Sequence, residues 1–291
     1  MRDSDSAGRD MIRLEPAAFK SVAALPLWAG LECHLAVASV LAGTMPGSVY
    51  VDDAEAPRSA LVQAGGRFHL AGSPAGDAWR RSLRSFFLRQ ASPPRPEMEG
   101  WGAFVVYAGT EWQPAVPELL SAGDHVPSQR LYLELEALHA GPPAPLPPGF
   151  RLRPVDGELL GEEGLGRLDE LRREMVSECP SVEFFVAHRF GVCLEAGGRL
   201  AGWCLSEYNE GERCEVGIET APEHRCRGLA THMVLALAAE ARARGITHLG
   251  WHSYQDNRPS VATALRAGFR QVAFYPAHLV RYKRHDSRME T

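Results

Sequence analysis

The clearest patterning lies in the second half of the chain. Phe150-Arg151-Leu152-Arg153 alternates apolar and polar side chains as a half-buried strand does. Between Glu158 and Val176, Leu159, Leu160, Leu165, Leu168 and Leu171 recur among charges and predict one or two amphipathic helices. Gly191 to Glu195 and Arg199 to Tyr208 flank Ala196-Gly197-Gly198, the composition of a β-hairpin closed by a glycine turn. A strand from Arg213 to Thr220 follows the turn Asn209-Glu210-Gly211-Glu212. A long helix from Leu229 to Arg244 then stops at Gly245, which takes the left-handed cap easily. Thr247 to Ser253, Pro259 to Arg266 and Phe269 to Phe274 read as strand, short helix and strand.

The first half is less regular. Val49-Tyr50-Val51, Ala60-Leu61-Val62 and Arg67-Phe68-His69-Leu70 predict strands, the last two around the turn Ala64-Gly65-Gly66. Residues 77–90 predict a helix and Phe104 to Tyr107 a strand. The order hairpin, helix, strand echoes the second half, as a degenerate internal duplication would. Arg80, Arg81, Arg84 and Arg89 recur at near-helical spacing and predict a solvated helix face. Asp52-Asp53-Ala54-Glu55 and Ser92 to Pro96 read as loops, with a place lining the acceptor cleft as the alternative for the acidic run, and Trp101 and Trp112 as core or inter-domain contacts.

The strongest punctuation is the run Pro142-Pro143-Ala144-Pro145-Leu146-Pro147-Pro148, which neither continues a helix nor serves a central strand. It divides the chain into an N-terminal α/β domain, 1–141, a proline-rich linker, 142–148, and a C-terminal domain, 149–291. A length of 291 residues suits two domains better than one core.

Composition narrows the class of function. With 31 basic and 36 acidic side chains the net charge is −5, which argues against a nucleic-acid partner bound over a basic surface. The apolar stretch Val22 to Leu41 is interrupted by Pro26, Gly30, Glu32 and His34, so no membrane partner is expected. The start of the chain is charged and lacks the apolar run of a secretory signal. Six cysteines without a C-x-x-C pair predict reduced, mostly buried thiols in a cytoplasmic protein, and no metal.

Chemistry concentrates after Thr220. A strand ends there, a short loop carries Arg225 and Arg227, and a helix starts behind Gly228. The first amides of a helix lack internal partners and lie at the positive end of its dipole, and a glycine lets an anion come close to them. Glu215 and Glu219, four residues apart on a strand, share a face. Two such carboxylates suit a cationic acceptor, and their repulsion raises the pKa of one of them, as a general base requires. His252 is a third candidate base because imidazole titrates near neutrality.

Arg225-x-x-Gly228-x-Ala230, set between a strand and a helix, resembles the R/Q-x-x-G-x-G/A signature of the GNAT superfamily of N-acetyltransferases. Asp256-Asn257-Arg258-Pro259-Ser260, running on to Ala267-Gly268-Phe269, is similar to the second, asparagine-initiated helix of that superfamily. Cys214 to Thr220, Trp251-His252 and Val49 to Val62 further resemble the zwittermicin-A-resistance type within it. The resemblance implies a C-terminal GNAT fold, a central mixed and mostly antiparallel sheet flanked by helices. The preceding smaller α/β domain would then be a degenerate GNAT-like repeat.

The same resemblance implies acetyl-CoA as cosubstrate and the primary amine of a small molecule as acceptor, joined by direct attack in a ternary complex. The pyrophosphate would lie on the loop amides of Arg225, Cys226, Arg227, Gly228, Leu229, Ala230 and Thr231. Ile218 and Thr220 would pair with the pantetheine arm, the Thr220 amide would polarise the thioester carbonyl, and Asn257 and Ser260 would face the arm from the other side. One position departs from the family: the tyrosine that many members carry seven residues after the asparagine is Ala264 here, so the general acid is left open among Tyr254, Tyr275 and Ser260. A non-catalytic acyl-CoA-binding or sensing module and an acyltransferase using a longer acyl chain are the alternatives, and a homodimer is left open.

Overall fold

The computed structural model describes residues 11–74, 76–91, 103–121, 123–137, 140–141 and 145–281. Trp101, the loop Ser92 to Pro96 and the start of the proline run lie outside the described residues. Two units divide the chain: Met1–Gln129 together with Pro276–Thr291, and Arg130–Tyr275.

The first unit contains β1 (Ile12–Arg13), α1 (Phe19–Ala23), α2 (Leu35–Ala42), β2 (Ser48–Val51), β3 (Ser59–Ala64), β4 (Arg67–Gly72), α3 (Asp77–Gln90), β5 (Ala103–Ala108) and α4 (Val116–Leu119). β1 to β4 pair antiparallel in sequence order, and β4 pairs parallel with β5 across the α3 crossover. Residues 278–281 close the sheet, antiparallel to β5. α3 carries Trp79, Leu83, Phe86 and Phe87 on one face, and these meet Phe68, Phe104 and Trp112 in an aromatic core. Its arginines at 80, 81, 84 and 89 point to solvent. Asp52 and Asp53 accept backbone N–H groups within the β2–β3 turn.

The second unit follows the same plan. It takes residues 130–136 of β6 (Asp124–Glu136), then β7 (Arg151–Pro154), α5 (Gly157–Leu160), α6 (Leu168–Ser177), α7 (Val182–His188), β8 (Gly191–Ala196) and β9 (Arg199–Glu210). β10 (Arg213–Thr220), α8 (Leu229–Ala243), β11 (His248–Tyr254), α9 (Arg258–Arg266) and the first part of β12 (Arg270–Arg281) complete it. β7 to β10 are antiparallel neighbours, β10 is parallel to β11, and β6 runs antiparallel to β11. Met233, Leu237 and Ala264 of α8 and α9 pack on Leu133, Val216, Leu249 and Trp251. On the other face Leu159, Leu171 and Phe185 of α5 to α7 pack on Trp203 and Leu205. No helix among the described residues is long and apolar enough to cross a membrane.

Each half of the sequence thus gives one strand to the unit built mainly from the other half. The proline run predicted to separate domains lies within the span of the second unit, and the chain passes between units at Gln129/Arg130 and Tyr275/Pro276. The physical reason is the ladder from His248↔Glu136 to Tyr254↔Arg130, which makes β6 a strand of the second sheet. Cys179, Cys193, Cys204 and Cys214 are buried free thiols and Cys226 is an exposed one. Burial pushes the Cys193 and Cys214 thiols up to about 12, which leaves them chemically inert.

Candidate active site

β10 and β11 begin as neighbours and then part. Their parallel ladder runs from Arg213↔His248 to Glu215↔Gly250 and ends, although β10 continues to Thr220 and β11 to Tyr254. Beyond that point β10 keeps only β9, through Thr220↔Gly202. The Ala221 N–H donates to the Ala201 carbonyl at 2.9 Å. Backbone groups alternate sides along a strand, so those of Glu219 face β9 and those of Ile218 and Thr220 face the opened side. The Thr220 carbonyl accepts from Arg225 Nε at 3.0 Å. The Thr220 amide and both backbone groups of Ile218 remain presented to a strand-like ligand.

Where β10 ends the chain forms a cup. Arg225 is extended, Cys226 is left-handed at φ +59°, and Gly228, also left-handed at φ +75°, precedes the first turn of α8. Cys226 holds a backbone conformation that costs a side-chain-bearing residue energy, a strain that concentrates at ligand-binding loops. Nothing lies within 4 Å of the place where a Gly228 Cβ would stand. α8 has no side-chain cap and no acidic residue in its first turn, so its leading amides and dipole are available to an anion. The Thr231 hydroxyl in that turn is buried without a hydrogen-bond partner. An open concave backbone and an orphaned hydroxyl at a helix N-terminus fit a pyrophosphate. Arg227 lies over the Phe150 ring at 5.3 Å, which fixes its stem beside the cup.

Titratable side chains gather where the strands part. Glu215, the last paired residue of β10, is 4% exposed. Its Oε1 lies 3.2 Å from His252 Nε2 on β11, and His252 Nδ1 lies 2.5 Å from the Tyr275 hydroxyl on β12. The Tyr132 ring of β6 packs on His252 with centroids 4.8 Å apart. It also covers Gly250, where a Cβ would stand 2.7 Å from the ring, so only glycine admits it. Arg213 Nη2 donates to the Tyr132 hydroxyl at 3.3 Å. Burial raises the Tyr132 phenol above its ordinary range, with the Arg213 bond opposing. Burial works against the Arg213 cation, yet Tyr132 and the carboxylates of Glu134 and Glu215 together hold its pKa above the usual arginine value.

Glu219 occupies the same strand face in different surroundings. Its carboxylate pairs with Arg167 Nη2. Arg167 also bonds Glu170 at 2.7 Å and the Leu200 carbonyl at 3.2 Å, and it lies over the Trp203 ring at 4.7 Å. Between the two glutamates, Gly217 leaves room for the Glu207 carboxylate, whose Oε1 would lie 2.1 Å from a Cβ there. Tyr132, Arg167 and Glu207 were not legible as site residues. Alternation of Leu131, Leu133 and Leu135 was the one signal that could have placed Tyr132 on a strand face. Arg167 and Glu207 had none.

α9 supplies the opposite wall. The Asn257 side chain accepts the Ser260 N–H at 3.3 Å and so caps the helix. The Ser260 hydroxyl accepts from Trp251 Nε1 at 3.0 Å. Ala264 is fully buried in the core beneath α9. Position 264 is thus enclosed in the core and offers the site no general acid. Tyr254 is stacked under the Arg130 guanidinium at 4.8 Å.

Comparison with known proteins agrees with this plan. The family model described as GNAT acetyltransferase matches residues 26–278. The Bacillus subtilis protein YdfB, described as an uncharacterized N-acetyltransferase, is 24% identical over 243 residues, 84% of this chain and 89% of that one. A GCN5-related N-acetyltransferase-like protein from Streptococcus suis superposes with a TM-score of 0.66 at 22% identity, over 92% of this chain and 100% of its own. A tandem GNAT protein from the clavulanic acid biosynthesis pathway superposes at 0.59 and 13% identity, covering 94% and 98%. These structural likenesses concern the fold, and the two-unit plan with a repeated strand order is that of a tandem GNAT protein. With a family model spanning both units and the parted strands beside an anion cup, the chain belongs to the GNAT acetyltransferase family and is an N-acetyltransferase.

Proposed function

We propose that the protein transfers an acetyl group from acetyl-CoA to the primary amine of a small molecule by direct attack within a ternary complex. The observation that carries this reading is the Glu215–His252 pair astride the point where β10 and β11 part, next to the cup of Arg225 to Thr231. The amides of Cys226, Arg227, Gly228, Leu229 and Ala230 hold the pyrophosphate, whereas those of Arg225 and Thr231 already donate to the Pro222 and Gly228 carbonyls, and Ile218 and Thr220 pair with the pantetheine arm. Asn257 and Ser260 serve by fixing α9, the wall opposite. The bound cosubstrate supplies an acyl thioester.

The acceptor amine reacts only as the free base, so its proton must pass to a neighbouring group. The Glu215–His252 pair takes that role, because a carboxylate beside an imidazole stabilises the imidazolium formed. The Thr220 amide stabilises the negative charge that develops on the carbonyl oxygen. The new C–N bond forms, the C–S bond breaks, and the thiolate sulfur receives the proton that the amine lost. Glu219, held by Arg167, and Glu207 set a negative field that attracts a cationic acceptor. The likeness to zwittermicin-A-resistance acetyltransferases makes aminated antibiotics the first acceptors to try, with polyamines next.

The test is a thermal-shift titration with acetyl-CoA, followed by CoA release and product mass measured against an amine panel. Stabilisation by acetyl-CoA together with an acetylated amine supports the reading. Binding without release from any amine would instead favour an acyl-CoA-sensing module, and turnover only with longer acyl-CoA would change the donor.

A further inference from the structure

We propose that Tyr275 is a positioning residue for the transfer site: its hydroxyl selects the His252 tautomer and thereby keeps the imidazole Nε2–H on Glu215. The inference rests on the N-acetyltransferase reading above and adds a residue to it.

Three strands contribute one side chain each to a continuous chain, Glu215 from β10, His252 from β11 and Tyr275 from β12. An ionised carboxylate only accepts, so a hydrogen bond to Glu215 requires a proton on Nε2. A neutral imidazole then has its lone pair on Nδ1, and the partner there must donate. Tyr275 stands at that nitrogen at 2.5 Å and is 8% exposed, so water has little access to replace it. Glu215 from β10, Tyr275 from β12 and Tyr132 from β6 are titratable groups that face His252. Arg213 and Glu134 stand behind Tyr132, whose own hydroxyl is turned to them. Tyr275 is therefore the phenol that meets the His252 ring nitrogen.

Proton uptake reverses the Tyr275 bond. Once His252 is an imidazolium, Nδ1–H donates and the Tyr275 oxygen accepts, while Glu215 stays on Nε2–H. A hydrogen bond from a cation is about twice as strong as a neutral one, so Tyr275 favours the protonated ring.

The experiment compares Tyr275→Phe with the native protein in two ways. In the pH profile of kcat/KM the acid limb of the variant should move down by about one unit, with kcat reduced about tenfold and acetyl-CoA affinity unchanged. By 15N NMR of the imidazoles, native His252 should carry its proton on Nε2 at neutral pH, and the variant, in which Glu215 alone favours that tautomer, should show an increased share of the Nδ1–H form. An unmoved acid limb with an unchanged tautomer in an active variant overturns the role of Tyr275 alone. Absence of transfer by the native protein to any amine overturns the underlying reading, while the tautomer spectrum still decides the positioning. Should Tyr275→Phe fail to fold, a native spectrum with the proton on Nδ1 rejects the proposal, and one with it on Nε2 supports it.

Discussion

Glu215 and Glu219 stand two residues to either side of Gly217 on one strand face, and their neighbours separate their chemistry. Glu219 shares the Arg167 guanidinium with Glu170 and the Leu200 carbonyl, so one cation is set against two carboxylates and Glu219 is held in place. Glu215 is enclosed, and its partner is the His252 imidazole. Replacing Glu215 with glutamine removes the acceptor for Nε2–H, and kcat should fall about 10²–10⁴-fold, the usual contribution of a general base. Acetyl-CoA affinity, which depends on the cup at Arg225 to Thr231, should stay within a factor of two to three in a calorimetric titration. Glu219→Gln should leave kcat within about tenfold and act mainly on the KM of a cationic acceptor, because it removes one of the two negative charges beside Arg167. Steady-state kinetics on both variants decide the matter, and a larger kcat loss for Glu219→Gln would exchange the two roles.

At the scale of elements, the segments read directly from the sequence are those whose pattern is local. The hairpin β8–β9 with its glycine turn, the helix α8 ended by Gly245, and α9 with its asparagine cap stand within one or two residues of where period and capping put them. β6 and the extension of β12 past Phe274 were missed because the partners that make them strands are remote in sequence, with Glu136 lying opposite His248 and Val106 opposite His278. The Arg225–Ala230 loop was legible as a motif and Tyr275 as a candidate general acid, whereas Arg167 enters the site only through tertiary contact. The two missed strands also place His125 beside His278, with Nε2 and Nδ1 3.0 Å apart and Gln113 on the other His278 nitrogen at 3.0 Å. Burial, then the neighbouring His125, pushes His278 down to about 4. An unfolded histidine titrates near 6.5, so this stabilisation is complete above that pH and is lost as pH falls from 6.5 to 4. The loss should approach about 3 kcal/mol. Urea unfolding at pH 7 and at pH 4.5 should show that slope in the native protein and a much shallower one in His278→Gln. Parallel pH dependence in both would place the titration elsewhere.

At the scale of the whole molecule, the two units share a strand order and a helical crossover between parallel strands, yet among the described residues the features of an acyl-CoA site stand in the second alone. In the first unit the end of β4 is occupied by the protein itself. Gly109 N–H donates to the Leu70 carbonyl at 3.0 Å, Gly72 N–H donates to Leu27 at 2.9 Å, and the Trp112 indole N–H donates to Ala71 at 3.2 Å. The counterpart of the opened edge at Ile218 and Thr220 is therefore filled. The helix after β4 carries Asp77 in its first turn, paired with Arg80, a negative charge that disfavours a phosphate there, whereas the first turn of α8 carries no acid. A duplicated fold with one filled and one open edge should bind a single acetyl-CoA per chain. Calorimetric titration of the full chain should give a stoichiometry of one. Gly228→Val should abolish binding, since a β-branched side chain tolerates φ +75° poorly and would project over the cup. Two sites in the native protein, or one site surviving in a folded Gly228→Val, would show that the first unit has kept an acyl-CoA site of its own and that its filled edge opens for the ligand.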